Sequence, residues 1–587
     1  MMVCDFLLSQ RAFAPPALAG NEHRAVQTML GDVSLRTWSR DGADLVEQVQ
    51  RDGWTYWLFG ELFGQYRSLA DALSASTAQD ELGWPPLNVA ELNGSFLVLA
   101  RQERSGEWHA WTDRFGTLHA YWGRRAGQPL IGTRFSDLAA GSGSDLDWQG
   151  IVGFLGFGFF PGERTYREDV RIMRPASHYV FDAQLCYKSE QRYWNWSYAP
   201  DQRRTYAETV DAFAQCFDQA VEERYERGRT AIPISGGLDS RSTVALVRDQ
   251  PWRKNLWCYT YGYSDSSIES TIGRQVAACR DLPCDSLTIR PYLFEQWRQV
   301  LAGVEGFQDV TQCRQAAVTD AISAHAEFVM AAHWGDVWLD DMGVAEKLAA
   351  PNDDELAKFA HDKIKKRGSA WLMKHVAIAQ VPESDRSEML RQFVRDEFCR
   401  LPHIEDSEFR VKAFKTDQWS FRWTTASLRA YHAGAFPRTP FYDTRLADLF
   451  CTVPTQFVAN RRLQVDYLKR CAPDLAGVTW QQHGRNLFDY KRPDAFRLVK
   501  RAWNKAAAVA TRKQVTQRNW EVQFSGAAGR AGVAHWLQRR GLRLHEYVAP
   551  DHIDALVSDF NSRRPDGAIG YTMCMLVTLS MWLESYG

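Results

Sequence analysis

The chain is poor in the features that mark secreted, membrane-spanning or nucleic-acid-coating proteins. Its 11 cysteines are an odd number scattered from Cys4 to Cys574, and no CxxC pair occurs. That excludes a regular disulfide framework and a cysteine-rich zinc site, and it fits a reducing cytoplasm. No apolar run is long enough to span a bilayer. The longest, at 571–583, contains Thr572, Thr578 and Ser580 and reads as a buried terminal helix. The opening MMVCDFLLSQ has no basic residue before its short apolar run, so no secretory signal is expected. Excess charge is missing too: 70 Lys+Arg face 71 Asp+Glu, a formal net charge of −1. Such a balance gives no reason to expect nucleic acid or an anionic membrane as partner. Internal repeats, low-complexity segments and a GxxxxGK[ST] phosphate loop are all lacking.

What is present is ordinary globular material: 587 residues, 45% hydrophobic and 24% charged. The first 200 residues read mainly as short aromatic-rich strands, among them TYWLFGEL, SFLVLARQ and HYVFDAQ, with helical stretches near 68–75 and 146–155. Residues 194–204 have linker character. From Thr205 the texture changes to strands alternating with helices, which argues for a parallel doubly wound sheet. Strand TAIPI, a helix at 241–248, strand LWCYTYGY, a helix from Ser267, strand CDSLTI and strand EFVMAAH follow in turn. Beyond Gly343 the chain reads as nearly all helical.

The strongest local signal is Ser235, Gly236, Gly237, Leu238, Asp239 and Ser240, between strand TAIPI and the next helix. Two glycines let backbone N–H groups approach a phosphate chain closely, and a helix N-terminus favours negative charge. Ser235 and Ser240 add hydroxyl donors. Asp239 would repel phosphate directly, but it makes sense as a ligand of Mg²⁺ held against the phosphates. The plainer alternative is a corner that uses glycine for geometry alone.

SGGLDS in this setting resembles the pyrophosphate loop of the asparagine synthetase superfamily. LFGELFGQYRSL, LNGSFLVLA, TDRFGTLHAYWG and FGFFPGERTYREDVRIMRPASHYVFD resemble its amidotransferase domain, and PRTPFYDTRLADLFCTVP its later Arg-x-Pro-Phe-x-Asp segment. The resemblance implies an α+β N-terminal Ntn-hydrolase-like sandwich over 1–200. An α/β adenine-nucleotide α-hydrolase (PP-loop) domain over 201–587 would follow, with a large helical C-terminal extension. It implies ATP and Mg²⁺, cleavage of ATP between its α and β phosphates, adenylation of a carboxylate, and amide formation. The family's second metal-binding Asp matches Asp336, so Asp239 and Asp336 are expected to share Mg²⁺. Helix capping is the competing role for Asp336. Asp340 and Asp341 match small residues of the family pattern and are not assigned.

His333 departs from the pattern. Asparagine-forming relatives carry Glu there and β-lactam-forming relatives Tyr. An attacking α-amine has a pKa of about 7.7–8.0 and histidine about 6.5, near enough for general-base transfer. His333 is therefore the candidate catalytic base, with a structural histidine as the alternative. The N-terminal domain departs further. Glutamine-hydrolysing relatives expose a cysteine as first residue, whereas here Met2 stands next to Met1 and Cys4 lies inside the chain. The family's Asn-Gly oxyanion element corresponds to Phe59-Gly60, and only Asp113 remains. This domain is expected to be catalytically dead, so the amine is not ammonia from glutamine. Phe436 replaces the Glu preceding the Arg-x-Pro-Phe segment. The family's phosphate-stabilising Lys has three possible counterparts, His483, Arg485 and Lys491.

Two other patterns lead elsewhere. GFLGFGFFPG lacks the GxGxxG spacing, and the basic stretch 491–543 reads as a solvated face or a docking surface for a peptide. His333 before Gly-Asp, the Trp-rich helical C-terminal half and the ending GYTMCMLVTLSMWLES are most similar to lasso-peptide cyclases. In those, a side-chain Asp or Glu carboxylate of a precursor peptide is adenylated and the peptide's own N-terminal amine closes a macrolactam. The implied partners are the precursor (core) peptide, the leader peptidase and the leader-binding protein of the same pathway, with no nucleic acid and no membrane span. Another amide ligase of the superfamily (asparagine synthesis from ammonia, or β-lactam closure) and a degenerate scaffold are the alternatives.

Overall fold

The computed structural model describes residues 4–10, 23–40, 45–75, 87–139, 145–264, 267–491, 518–562 and 566–587. The portion of the basic stretch at 492–517 lies outside them.

The described residues up to 192 supply twelve strands: β1 (Cys4–Gln10), β2 (His23–Leu30), β3 (Val33–Arg40), β4 (Val46–Arg51), β5 (Trp54–Phe63), β6 (Asn93–Gln102), β7 (Trp108–Thr112), β8 (Tyr121–Arg125), β9 (Gln128–Gly132), β10 (Val170–Ile172), β11 (Ser177–Phe181) and β12 (Tyr187–Arg192). They form two six-stranded antiparallel sheets, ordered β10-β8-β9-β1-β3-β2 and β12-β11-β7-β6-β5-β4. The period of two along each strand decides the layers. Cys4, Phe6 and Leu8 of β1 pack with Trp57, Phe59, Leu97 and Leu99 in one core between the sheets. Tyr56, Leu58 and Val98 turn the other way, into a separate core with Leu69, Ala72 and Leu73 of the helix Leu69–Ala75. The glycine run at 156–158 ends the helix Trp148–Phe157, with Gly158 as a left-handed C-cap donating its N–H to Phe154 O at 2.7 Å.

The second half holds a five-stranded sheet built from β13 (Thr230–Pro233), β14 (Leu256–Gly262), β15 (Cys284–Thr288), β16 (Phe328–Met330) and β17 (Phe436–Arg438), in the order β15-β14-β13-β16-β17. Every pairing is parallel. The chain starts in the centre, builds outward one way through β14 and β15, then returns to place β16 and β17 on the other side. Between β13 and β16 the direction of winding therefore reverses. Helices account for most of the rest. The helix Gly567–Tyr586 is buried over most of its length, and no helix among the described residues is long and apolar enough to cross a membrane.

Two expectations need correction. The helix expected over 241–248 is a single turn, Asp239–Ser242. The Arg280 guanidinium takes the carbonyls of Val244 and Ala245, at 2.9 and 3.1 Å, which a longer helix would have used itself. The region beyond Gly343, expected to be nearly all helical, also contributes one short strand, β17, to the sheet. Pro437 lacks an N–H, yet β17 is an edge strand, where proline is tolerated.

The segment around β17 also joins the two halves. Arg438 donates Nε and Nη2 to Glu61 of β5 at 2.8 and 2.5 Å, with both side chains buried. Asp443 accepts from Asn93 of β6 at 2.8 Å and from Arg224 at 3.0 Å. Burial alone would raise the Asp443 carboxyl, but hydrogen bonds and charge from Arg445 and Arg224 outweigh it and hold the group at about 2. A depressed acid stabilises the fold above its ordinary value of 3.8 and loses that contribution as pH falls toward 2. Thermal melts between pH 4 and 2 should therefore show a steep loss of stability, of which Asp443→Asn removes about 2 kcal/mol.

Candidate active site

Ligands of open α/β sheets bind at the carboxyl ends of the strands where the winding reverses. The two loops at that place are those leaving β13 and β16, and they carry Asp239 and Asp336. The 235–240 loop holds its own shape. Ser235 N–H donates to Ser240 Oγ at 3.1 Å, and Gly237 N–H donates to Ser235 Oγ at 3.2 Å. Leu238 anchors the loop in the core at 3% exposure. Gly236 is required by close approach: a Cβ there would lie 2.5 Å from Gln481 Oε1, and Gln481 N–H donates to Gly236 O at 3.2 Å. With only one helical turn following, any attraction for an anion at this loop would rest on its N–H and hydroxyl donors and not on a long helix dipole.

The loop after β16 is strained where it matters. Trp334 sits at φ 80°, ψ −5°, a left-handed conformation that costs a bulky residue about 1–3 kcal/mol. Burial of the indole and a 3.0 Å hydrogen bond from its Nε1 to Thr416 Oγ1 hold it there. The strain turns the chain sharply between His333 and Asp336. Gly335 then comes so close that a Cβ on it would lie 2.6 Å from Asp239 Oδ1 and 2.7 Å from Phe441 Cζ. Gly335→Ala should push the loops apart and lower any Mg·ATP-dependent activity by about 10- to 100-fold, with an unchanged circular dichroism spectrum.

Asp239 makes an ion pair with Arg461 and accepts from Gln464 Nε2 at 3.1 Å. Burial raises its carboxyl, Arg461 opposes the rise, and nearby Asp336 adds to it. Arg461 supplies one cation to Asp239, and a metal ion between Asp239 and Asp336 would take its place. Among the described residues no group of three or more His, Cys, Asp and Glu forms a metal cage. A pair of carboxylates completed by substrate phosphates is the usual way a protein holds Mg²⁺, so the donor set fits that ion.

A cavity of about 250 Å³ opens between the loops, lined by Ser235, Gly237, Asp239, Ser240, Tyr261, Glu269, Arg314, His333 and Tyr431. His333 Nδ1 is buried and has no hydrogen-bond partner among the described residues. Burial lowers the imidazole to about 4; Asp336 opposes the fall and Arg314 adds to it. The ring is therefore neutral at pH 7, free to accept a proton, but a weaker base than the unperturbed value of about 6.5 suggested.

The structure thus brings Ser235, Gly237, Asp239, Ser240 and His333 around one space, with Gly236 in the loop's wall and Asp336 beside Asp239. Of the three basic candidates, His483 packs against Trp480 and Tyr490, with ring centroids at 4.3 and 5.2 Å. Arg485 closes the short turn through its carbonyl, 2.7 Å from Trp480 N, and Lys491 lies beside Tyr490. The residue of this turn that reaches the loop is Gln481. Sequence reasoning missed it, together with Arg461, Gln464, Arg314, Tyr261, Glu269 and Tyr431. Gln464 had a faint signal, as a polar residue on the apolar stripe of the helix Arg462–Cys471. Arg461 had none: it reaches Asp239 because Asn460 and Arg461 both adopt left-handed backbone, at φ 58° and 60°.

The space between the N-terminal sheets is filled. Cys4 is buried among Phe6, Leu8 and Phe59, and burial pushes its thiol far above the ordinary range. Phe59 packs against Phe6 with centroids 4.7 Å apart and ring planes tilted by 33°. Burial raises Asp113 to about 6, although it accepts hydrogen bonds from Thr117 and from the Phe115 and Phe96 N–H groups. It ties down a turn.

No family model matches the sequence, and no curated protein matches it. Among solved structures, the chain is similar to glutamine phosphoribosylpyrophosphate amidotransferase from B. subtilis, complexed with ADP and GMP, at 12% identity and a TM-score of 0.20. The match covers 50% of this chain and 61% of that one. The layers described above rest on strand pairing and not on this likeness.

Proposed function

We propose that the chain is an ATP-dependent, AMP-forming amide ligase that closes a macrolactam in a precursor peptide. The observation that carries the proposal is the meeting of the Asp239 and Asp336 loops where the sheet reverses its winding. A carboxylate is inert to amines at neutral pH. In the proposed reaction its oxygen attacks the α-phosphorus of ATP, the bond to the β-phosphate breaks, and pyrophosphate leaves. The amine nitrogen then attacks the acyl carbon, AMP departs with the former carboxylate oxygen, and the amine loses a proton. Mg²⁺, held by Asp239 and Asp336, would neutralise charge on the pyrophosphate as it leaves. Backbone N–H groups of the 235–240 loop and the hydroxyls of Ser235 and Ser240 orient the phosphates. His333, neutral and without a partner on Nδ1, is placed to receive the amine proton. The apolar filling around Cys4 supports an amine other than glutamine-derived ammonia. A peptide that carries both carboxylate and amine supplies each reactant at a high effective concentration. In this reading the leader peptidase and leader-binding protein of the pathway deliver the core peptide.

The test is ATP–pyrophosphate exchange with the peptide encoded beside the gene, in the presence of its leader peptidase. Exchange that depends on a peptide Asp or Glu, with a product lighter by one water, is the expected result. His333→Ala should retain exchange within about threefold and lower ring closure by about 10²-fold or more. A His333→Ala enzyme that cyclises at the wild-type rate removes the base assignment. Exchange driven by a small amino acid points to another amide ligase, and no exchange with any acid leaves a scaffold.

A further inference from the structure

The helix Ser407–Lys415 runs directly into a π-helix, Thr416–Thr424. Thr416 Oγ1 accepts the Trp334 indole N–H at 3.0 Å, which fixes this junction against the Asp336 loop. The Lys415 ammonium lies 5.8 Å from the Trp334 ring centroid and 5.4 Å from that of Trp419. From a different helix connection, the Lys366 ammonium lies 4.1 Å from the same Trp419 ring. One indole therefore has two cations set against it, and Lys415, the more distant of the two, adjoins the loop that carries Asp336.

These two lysines are half-buried, and among the described residues no carboxylate makes an ion pair with either. The acids that face them act from longer range: Asp336 and Glu408 toward Lys415, and Asp309 toward Lys366. Lysines set on a surface merely to cover tryptophan would turn their heads to water or to an acid. Here burial lowers both ammonium groups, with Lys415 adding to the effect on Lys366 and Lys363 to that on Lys415. An unneutralised cation pair in a partly desolvated place is stabilised most by an anion that bridges it.

We propose that Lys366 and Lys415, both set against Trp419, form an oxyanion-binding subsite adjoining the Asp336 loop. The anion is either the pyrophosphate leaving group or a second carboxylate of the acyl substrate. Only the identity of the anion rests on the amide-ligase reading; the subsite itself rests on the lysine and tryptophan geometry.

The test uses the full chain in EDTA, so that no metal bridges anion and protein. Calorimetric titrations with inorganic pyrophosphate and with tetraglutamate are compared for wild type, K366Q/K415Q and K366R/K415R. Wild type should bind at least one of the two probes. The glutamine pair should lose at least tenfold in affinity, and the arginine pair should stay within about threefold, which separates lost charge from lost folding. Binding of pyrophosphate alone assigns the leaving group, and binding of tetraglutamate alone assigns a substrate carboxylate. The proposal is overturned if wild type binds neither probe, or if K366Q/K415Q binds as wild type does. Lysine-dependent binding in a chain that never catalyses ATP–pyrophosphate exchange keeps the subsite and removes the ligase reading. Exchange with no lysine dependence of binding does the reverse.

Discussion

Asp239→Asn should lower ATP–pyrophosphate exchange by about 10³-fold or more, a barrier change of about 4 kcal/mol, while the protein stays folded. The substitution keeps the shape of the side chain and an acceptor for Gln464. It removes the charge that, with Asp336, would hold a divalent cation. Stability should change little, because burial and Asp336 already raise the Asp239 carboxyl, so that its ionised form is held at some expense to the fold. The loss of the Arg461 partner works against this gain, and the two effects should leave the melting midpoint within a few degrees. Asp336→Asn should behave the same way. Asp340→Asn and Asp341→Asn, a few residues further along the chain, should leave exchange within about threefold. A steady-state exchange assay on the four variants, each checked by thermal melt, distinguishes paired metal ligands from acids that merely lie nearby.

Glu61→Ala should destabilise the protein by about 3–5 kcal/mol. It strips the counter-charge from Arg438, whose guanidinium is 1% exposed and also donates to the carbonyls of Arg224 and Arg227 at 2.6 and 2.7 Å. A buried cation left without its carboxylate is the costly outcome, whereas replacing both partners with apolar residues of similar size is far milder. E61L/R438M should accordingly recover most of the loss. The effect should extend to activity. Arg438 O accepts from Ala331 N–H at 2.8 Å, at the start of the loop that leads through His333 and Trp334 to Asp336. Disturbing the joint between the halves therefore disturbs the loop that carries Asp336. Denaturation midpoints followed separately by tryptophan fluorescence and by exchange activity would show both losses in Glu61→Ala and neither in full in the double variant.

The strand-turn-helix corner at 235–240 was legible in the sequence because its signals are local: a buried strand, two glycines, two hydroxyls and an aspartate within a few residues. Strand β16 and the placement of Asp336 were legible for the same reason. The failures are long-range. Arg461 meets Asp239 across 222 positions, through a left-handed kink that neither side chain announces. The shortness of the helix after the loop is decided by Arg280, which captures carbonyls 35 and 36 residues away. The segment FPR did not read as a strand because it has three residues, one of them proline, and pairs only along one edge. Glu61 was passed over beside Phe59-Gly60 because its partner, Arg438, lies in the other half of the chain. The base strength of His333, read from the ordinary imidazole value, was not legible either, since the lowering to about 4 comes from burial that only the folded site creates.

The central claim is that the loop after β13 holds the phosphates of Mg·ATP, with the ion between Asp239 and Asp336. A crystal structure with Mg²⁺ and α,β-methylene-ATP addresses it most directly. The account predicts the β and γ phosphates on the N–H groups of Gly236 and Gly237 and on the Ser235 and Ser240 hydroxyls, the metal on both aspartates, and Arg461 displaced from Asp239. Nucleotide bound elsewhere, with this loop empty and the Arg461–Asp239 pair intact, would contradict it.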